Sequence, residues 1–153
     1  HASAAAALSA QDNADIQQLY ARYNHMFDVP PDATGEGWAN TFTDDGVFDF
    51  REGGAPLTGH KALAEFARKF QEGPGRGTLR HWDQSIMITP TAEGAHGTCF
   101  YFSVNPKTNP PTISGAGIYH DDLVKTKQGW RFKRRQFRSE AAAPAPSAGG
   151  ARP

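Results

Sequence analysis

Residues 78–104 read TLRHWDQSIMITPTAEGAHGTCFYFSV. Two runs rich in β-branched and aromatic residues flank the turn sequence TAEG, a pattern that predicts a β-hairpin. A second pair of runs follows, joined by a turn at 127–129. The link at 105–111, NPKTNPP, is too rich in proline to pair as a strand. We therefore predict an antiparallel meander whose four strands cover residues 78–89, 95–104, 113–126 and 130–137.

Helical periodicity dominates the part of the chain before the meander. Apolar residues recur at three- and four-residue spacing from Asp12, the predicted N-cap, to about Phe27, and Pro30 then ends this helix. A short second helix is predicted at 37–42 and a third at 59–71. Between them, a turn at 43–46 is expected to lead into a short strand at 47–50.

Helices followed by a meander indicate an α+β domain in which a strongly curved mixed or antiparallel sheet wraps around the N-terminal helix as a cone. The chain has 153 residues and is 38% hydrophobic, which suits one packed domain with a pocket between helix and sheet. Residues 1–10 and 139–153 are rich in Ala, Pro, Gly and Ser, so we expect disordered tails around a domain at 11–138.

Charge and cysteine content limit the classes of partner. Sixteen basic residues balance sixteen acidic ones, which favours a small apolar ligand over nucleic acid. The basic residues at 131–138 fit a solvated strand face better than a nucleic-acid patch. Cys99 is the sole cysteine and is expected to be a core thiol.

No stretch is long enough to cross a bilayer. The Ala-rich start leaves open whether the protein is cytoplasmic or is secreted or periplasmic after processing.

The order of these elements, with their motifs, resembles the SnoaL-like family of the nuclear-transport-factor-2-like superfamily. The resemblance rests on GEGWANTF, FTDDGVFDF, GHKALAEF, LRHWDQSIMI, GAGIYHDDLVKT and GWRFKRRQF, which span roughly residues 12–138 together. This superfamily includes scytalone dehydratase, a hexachlorocyclohexane dehydrochlorinase, ketosteroid isomerase and limonene epoxide hydrolase, beside members that only bind ligands. The resemblance also implies a homodimer formed through the open sheet face.

The resemblance implies a catalytic pair, Asp28 and His81. A carboxylate that holds one imidazole nitrogen fixes the tautomer and leaves the other nitrogen free to move a proton. Asp83, two residues after His81, could compete with Asp28 for the ring. The expected substrate-binding residues are Tyr23, Tyr119, Arg135 with Arg134 as the alternative, Trp38, Phe48 and Phe102.

These residues favour a cofactor-independent lyase or isomerase that acts on a small, largely apolar carbonyl or hydroxy compound. The alternative is a binding or dimerisation module of the same fold, and hydration of an epoxide by an Asp-Arg-Asp arrangement ranks third. We expect no organic cofactor, because the chain has no Gly-rich phosphate-binding loop. We expect no metal, because His25, His60, His96 and His120 lack partners at metal-ligand spacing.

Overall fold

The computed structural model describes residues 5–140. Most of the two tails predicted to be disordered, namely residues 1–4 and 141–153, lies outside the described residues. Within residues 5–140 the chain forms three helices and six strands. Their bounds are α1 Ala10–Asp28, α2 Glu36–Ala39, β1 Phe42–Asp49, β2 Leu57–Thr58, α3 His60–Glu72, β3 Arg80–Pro90, β4 Ala95–Asn105, β5 Thr112–Thr126 and β6 Gly129–Ser139.

Helix α1 begins earlier than the sequence predicted. Its N-cap is Ser9, whose hydroxyl accepts the backbone N–H of Asp12, while the Asp12 carboxylate accepts the backbone N–H of Ser9. Asp12 is therefore the third residue of the helix, the N3 partner in a capping box, and not the cap itself. The helix buries one stripe of residues at helical spacing, comprising Ile16, Leu19, Tyr20, Tyr23 and Phe27.

The six described strands form one open sheet in the order β2-β1-β6-β5-β4-β3. Strand β1 runs parallel to β6, and every other neighbouring pair is antiparallel. The sheet packs against α1, whose contacts with it lie chiefly on β3 and β6. This is the α+β cone that the sequence predicts, with strand β3 at one edge and the end of α1 beside it.

Strand β1 corrects the prediction of a turn at 43–46. The strand already begins at Phe42, which pairs with Phe132, and the next paired residue, Val47, lies opposite Arg134. Between these two pairs β1 advances by five residues while β6 advances by two. The turn-like residues therefore form a bulge within a continuing strand. Strand β2 has only two residues and carries no periodic signal in the sequence.

Helices α2 and α3 close one end of the cone over the aromatic core. Gly35, at the N-cap of α2, has φ 78°, and a Cβ there would lie 2.1 Å from the carbonyl oxygen of Ala64. Only glycine fits this approach, which brings α2 against α3 and places Trp38 in the core. No helix in the described part of the chain is long and apolar enough to span a membrane.

Candidate active site

Asp28 and His81 meet where the end of α1 reaches the edge strand β3. The Asp28 Oδ1 atom lies 2.5 Å from His81 Nδ1, and its Oδ2 atom accepts the backbone N–H of the same histidine at 2.6 Å. One carboxylate therefore fixes both the backbone and the ring of one residue. Because an ionised carboxylate can only accept, this geometry assigns the proton to Nδ1 and leaves Nε2 as the basic nitrogen.

The His81 ring forms part of the wall of an aromatic cavity with a volume of about 230 Å³. It packs edge-on against Phe27 and lies beside Tyr101, at ring-centre distances of 5.3 and 5.5 Å. Among the described lining residues, all except this histidine are Phe, Tyr or Trp. They are Tyr23, Phe27, Trp38, Phe48, Phe50, Phe66, Phe70, Tyr101, Tyr119 and Phe137, together with His81.

Three tyrosines line this apolar cavity. Burial raises the pKa of Tyr23, Tyr101 and Tyr119 above the ordinary value of tyrosine. All three therefore remain neutral phenols near pH 7, and a neutral phenol can donate a hydrogen bond to an oxygen that gains negative charge.

Arg135 does not line the cavity, which corrects its predicted placement. Its side chain has no exposed surface and lies beneath Tyr119, with the guanidinium carbon 3.6 Å from the centre of that ring. Nη2 donates to Asp83 Oδ2 at 2.8 Å, and Nε lies 3.3 Å from Asp121 Oδ1. The hydroxyl of Tyr20 donates to Asp121 Oδ2 at 2.6 Å, so these four residues form one buried ion cluster.

The ion cluster shows which carboxylate binds His81 and which arginine faces inward, two points that the sequence left open. Asp83 is paired with Arg135, so Asp28 is the carboxylate that binds the His81 ring. Arg134 points outward from the sheet and donates to Asp49 Oδ2 at 2.8 Å, so Arg135 is the inward arginine. Gly97 makes room for the cluster, since a Cβ there would lie 2.2 Å from the Tyr20 hydroxyl oxygen.

Phe102 was predicted to bind substrate but lies on the other face of the sheet. It stands opposite Trp82 in the β3–β4 register, and their ring centres are 5.3 Å apart. His81 pairs with Ser103, and because side chains alternate along a strand, Tyr101 and not Phe102 faces inward. Of the other predicted substrate-binding residues, Tyr23, Trp38, Phe48 and Tyr119 line the cavity.

Phe27, Tyr101 and Phe137 line the cavity although the sequence did not predict them there. Phe27 could have been assigned to the cavity because it precedes Asp28 directly in the last turn of α1. Tyr101 and Phe137 needed the register of β4 and β6, which no local pattern supplies. Outside the pair, His60 binds Glu36 and His96 lies near Asp122, and no cluster suited to a metal ion occurs in residues 5–140.

The fold and the site define a small α+β cone that encloses an aromatic cavity with an Asp-held histidine in its wall. The chain matches the family model of the SnoaL-like domain over residues 9–136, and it belongs to that family. No curated protein sequence matches it significantly.

Solved structures with the same fold resemble most of the chain. A variant of Rv3472, a protein of unknown function from Mycobacterium tuberculosis, is 28% identical over 92% of this chain and 83% of its own, with a TM-score of 0.74. An NTF2-like protein with a cystatin-like fold from Novosphingobium aromaticivorans is 19% identical over 87% and 84%, with a TM-score of 0.73. A protein from Catenulispora acidiphila, solved in complex with S-DNPA, is 24% identical over 86% and 96%, with a TM-score of 0.72.

Proposed function

We propose that this protein is a cofactor-independent lyase or isomerase that acts on a small, largely apolar carbonyl or hydroxy compound. The observation that carries the proposal is the Asp28-oriented imidazole of His81 in the wall of the aromatic cavity. A base that opens into a cavity walled by aromatic rings suits removal of a proton from carbon, because an apolar ligand that fills the cavity displaces the water that would compete for Nε2.

The proposed chemistry uses the free Nε2 atom of His81 as the general base. It takes a proton from a carbon next to a carbonyl, and the C–H electron pair moves into an enolate. Asp28 stabilises the imidazolium that forms, and a tyrosine hydroxyl in the cavity wall donates to the enolate oxygen. The same imidazolium then returns the proton to a leaving hydroxyl group in a dehydration, or to another carbon in an isomerisation.

The walls of the cavity restrict the ligand. Aromatic rings surround it, and in the described residues no Lys, Arg, Asp or Glu side chain lines it. A buried charge without a partner is costly, so we expect an uncharged and preferably planar ligand whose polar group meets His81. The relative solved with S-DNPA supports the use of this fold to hold a small molecule.

Screening uncharged aromatic ketones and hydroxy compounds for elimination and isomerisation tests the proposal. For any substrate found, we expect His81→Gln and Asp28→Asn each to lower kcat at least about 100-fold, because each removes the base or its orientation. Ligand binding, measured by quenching of Trp38 fluorescence, should change little. His120→Gln and Asp122→Asn are matched controls on the exposed face and should keep wild-type kcat.

The main alternative is a binding module, for which the aromatic wall alone suffices. In that case the screen yields binding without turnover, and Asp28→Asn leaves the affinity unchanged. The Asp83, Arg135 and Asp121 cluster has the composition of the Asp-Arg-Asp arrangement expected for epoxide hydration. None of the three lines the aromatic cavity, however, so this arrangement does not favour that reaction there.

We further propose that two copies associate through the outer face of the sheet. This outer face is defined by Trp82, Met87, Phe100, Phe102 and Ile118. Trp82, Met87 and Phe100 are 49%, 69% and 58% exposed, which is unusual for large apolar side chains. A second copy fits this face because the chain has no net charge, so two copies do not repel each other.

A further inference from the structure

A second hollow, the α1–β3 groove, also reaches the pair. It has a volume of about 510 Å³ and is lined by Asn24, Asp28, Arg80, His81, Asp83 and Gln84 among others. His81 is the only described residue that lines both the groove and the aromatic cavity, and Asp28 lines only the groove. His81 therefore borders two different environments, one aromatic and one polar.

The wall of the groove carries polar groups that lead toward Asp28. Asn24 and Asp28 are four residues apart along α1, so their side chains lie on one stripe of the helix facing β3. Asn24 Oδ1 and Asp83 Oδ1 are buried and have no hydrogen-bond partner within the described residues. Both atoms are acceptors, so they cannot satisfy each other and each needs a donor.

We infer that the α1–β3 groove exchanges the proton on His81 Nδ1 with bulk water while the aromatic cavity is occupied. The inference rests on the proposed function for its use in turnover. After Nε2 takes a proton from a ligand carbon, the Nδ1 proton passes to Asp28 and from there to water in the groove. The ring is then neutral and Nε2 keeps the ligand's proton. A proton from water in the groove returns through Asp28 to Nδ1 and restores the imidazolium, which delivers the Nε2 proton as proposed above.

Asn24 is the positioning residue of this route. Its amide lies one helical turn before Asp28 and shares the groove with Asp83, so it holds water beside the carboxylate without touching the ligand. The aromatic cavity has no comparable polar wall, since its other described lining residues are all aromatic. Exchange through the cavity should therefore stop when an apolar ligand fills it.

The test measures exchange of the His81 Nδ1–H with water by NMR in protein labelled with ¹⁵N-histidine. Saturating the cavity with naphthalene, an uncharged probe, should leave the exchange rate nearly unchanged. Asn24→Leu, which has a similar volume but no polar group, should slow exchange about tenfold, because it removes the water held beside the carboxylate. Asn24→Ser keeps a polar group and should exchange as wild type does, and Gln18→Leu on the exposed side of α1 is the matched control.

Exchange that is unaffected by Asn24→Leu in the unliganded protein overturns the inference, whether or not naphthalene binds. Exchange that collapses when naphthalene fills the cavity also overturns it, since the route then runs through the cavity. These results are separable from the proposed function: an active enzyme with exchange insensitive to Asn24 refutes only the groove. A protein with Asn24-dependent exchange and no turnover refutes only the enzyme.

Discussion

At the scale of single residues, the buried ion cluster places two carboxylates against one arginine. If Asp83 and Asp121 were both ionised, the cluster would carry an uncompensated negative charge in the core. Burial raises the pKa of Asp121 to about 7, although Arg135 and the Tyr20 hydroxyl favour its charged form. Protonation of Asp121 makes the cluster neutral, so the folded state takes up a proton that an exposed carboxyl group would release.

The raised pKa predicts that Asp121 stabilises the protein most at low pH. Its contribution is fully present below the ordinary pKa of 3.8 and is lost as the pH rises through about 7. In urea unfolding between pH 4 and pH 7.5, the free energy of unfolding of wild type should fall relative to Asp121→Asn by at most about 1.4 kcal/mol per pH unit. A constant difference between the two proteins would contradict this assignment, and Asp122→Asn is the exposed neighbour for comparison.

The residues of the site could be predicted where a family motif contains them. They could not be predicted where the packing of side chains from different strands determines their position. Asp28 and His81 were predicted to lie together, and they are in contact. Arg135 was correctly preferred to Arg134 as the inward-facing arginine. Its place in the buried ion cluster, away from the cavity, was not predicted. The sequence has no local signal that Asp83 and Asp121, on different strands, would bind the guanidinium and withdraw it from the cavity.

At the scale of elements, the start of α1 is fastened to the far end of the sheet. Asp12 completes the capping box with Ser9, and its Oδ1 atom also accepts from Trp130 Nε1 at 3.0 Å and from Lys125 Nζ at 2.7 Å. These hydrogen bonds hold the pKa of Asp12 well below its usual range. The helix that ends in Asp28 is thus anchored at its opposite end by the β5–β6 hairpin.

The cap predicts a stability effect without a direct effect on the site. Ser9→Ala should lower the free energy of unfolding by about 1 kcal/mol, because one backbone N–H of the first turn loses its acceptor. Ser9→Thr keeps a hydroxyl that accepts this N–H and donates to the Asp12 carboxylate, and it should retain most of the stability. Urea unfolding followed by circular dichroism measures both, and equal stability of Ser9→Ala and wild type would show that Asp12 alone secures this end.

Most elements were predictable because their periodicity is local. Helices α1 and α3 and strands β3 to β6 lie close to their predicted bounds, since each carries its own apolar pattern and turn. Strand β1 was predicted too short because its bulge at 43–46 has the composition of a turn, and only pairing with β6 reveals it as strand. Register, which moved Phe102 outward and Tyr101 inward, is likewise a property of two strands and not of one.

At the scale of the whole molecule, the outer face of the sheet behaves as an apolar surface without a described partner element. Helices α1, α2 and α3 all pack on the inner side, where the cavity lies. In the outer face, Phe100 stands opposite Ile118 on β5, and Trp82 stands opposite Phe102 on β4. These cross-strand pairs form a continuous patch over three strands, β3, β4 and β5.

Phe100→Glu should convert a dimer formed through this face into a monomer. The glutamate would place a charge near the centre of the patch, where the partner copy would have to desolvate it without a counter-charge. Sedimentation velocity over a dilution series measures the change. Val29→Glu, at an exposed apolar residue after α1 and off the sheet, is the control and should remain dimeric. A wild-type protein that sediments as a monomer at every concentration would refute the dimer, whereas a dimer that survives Phe100→Glu would move the interface to another face.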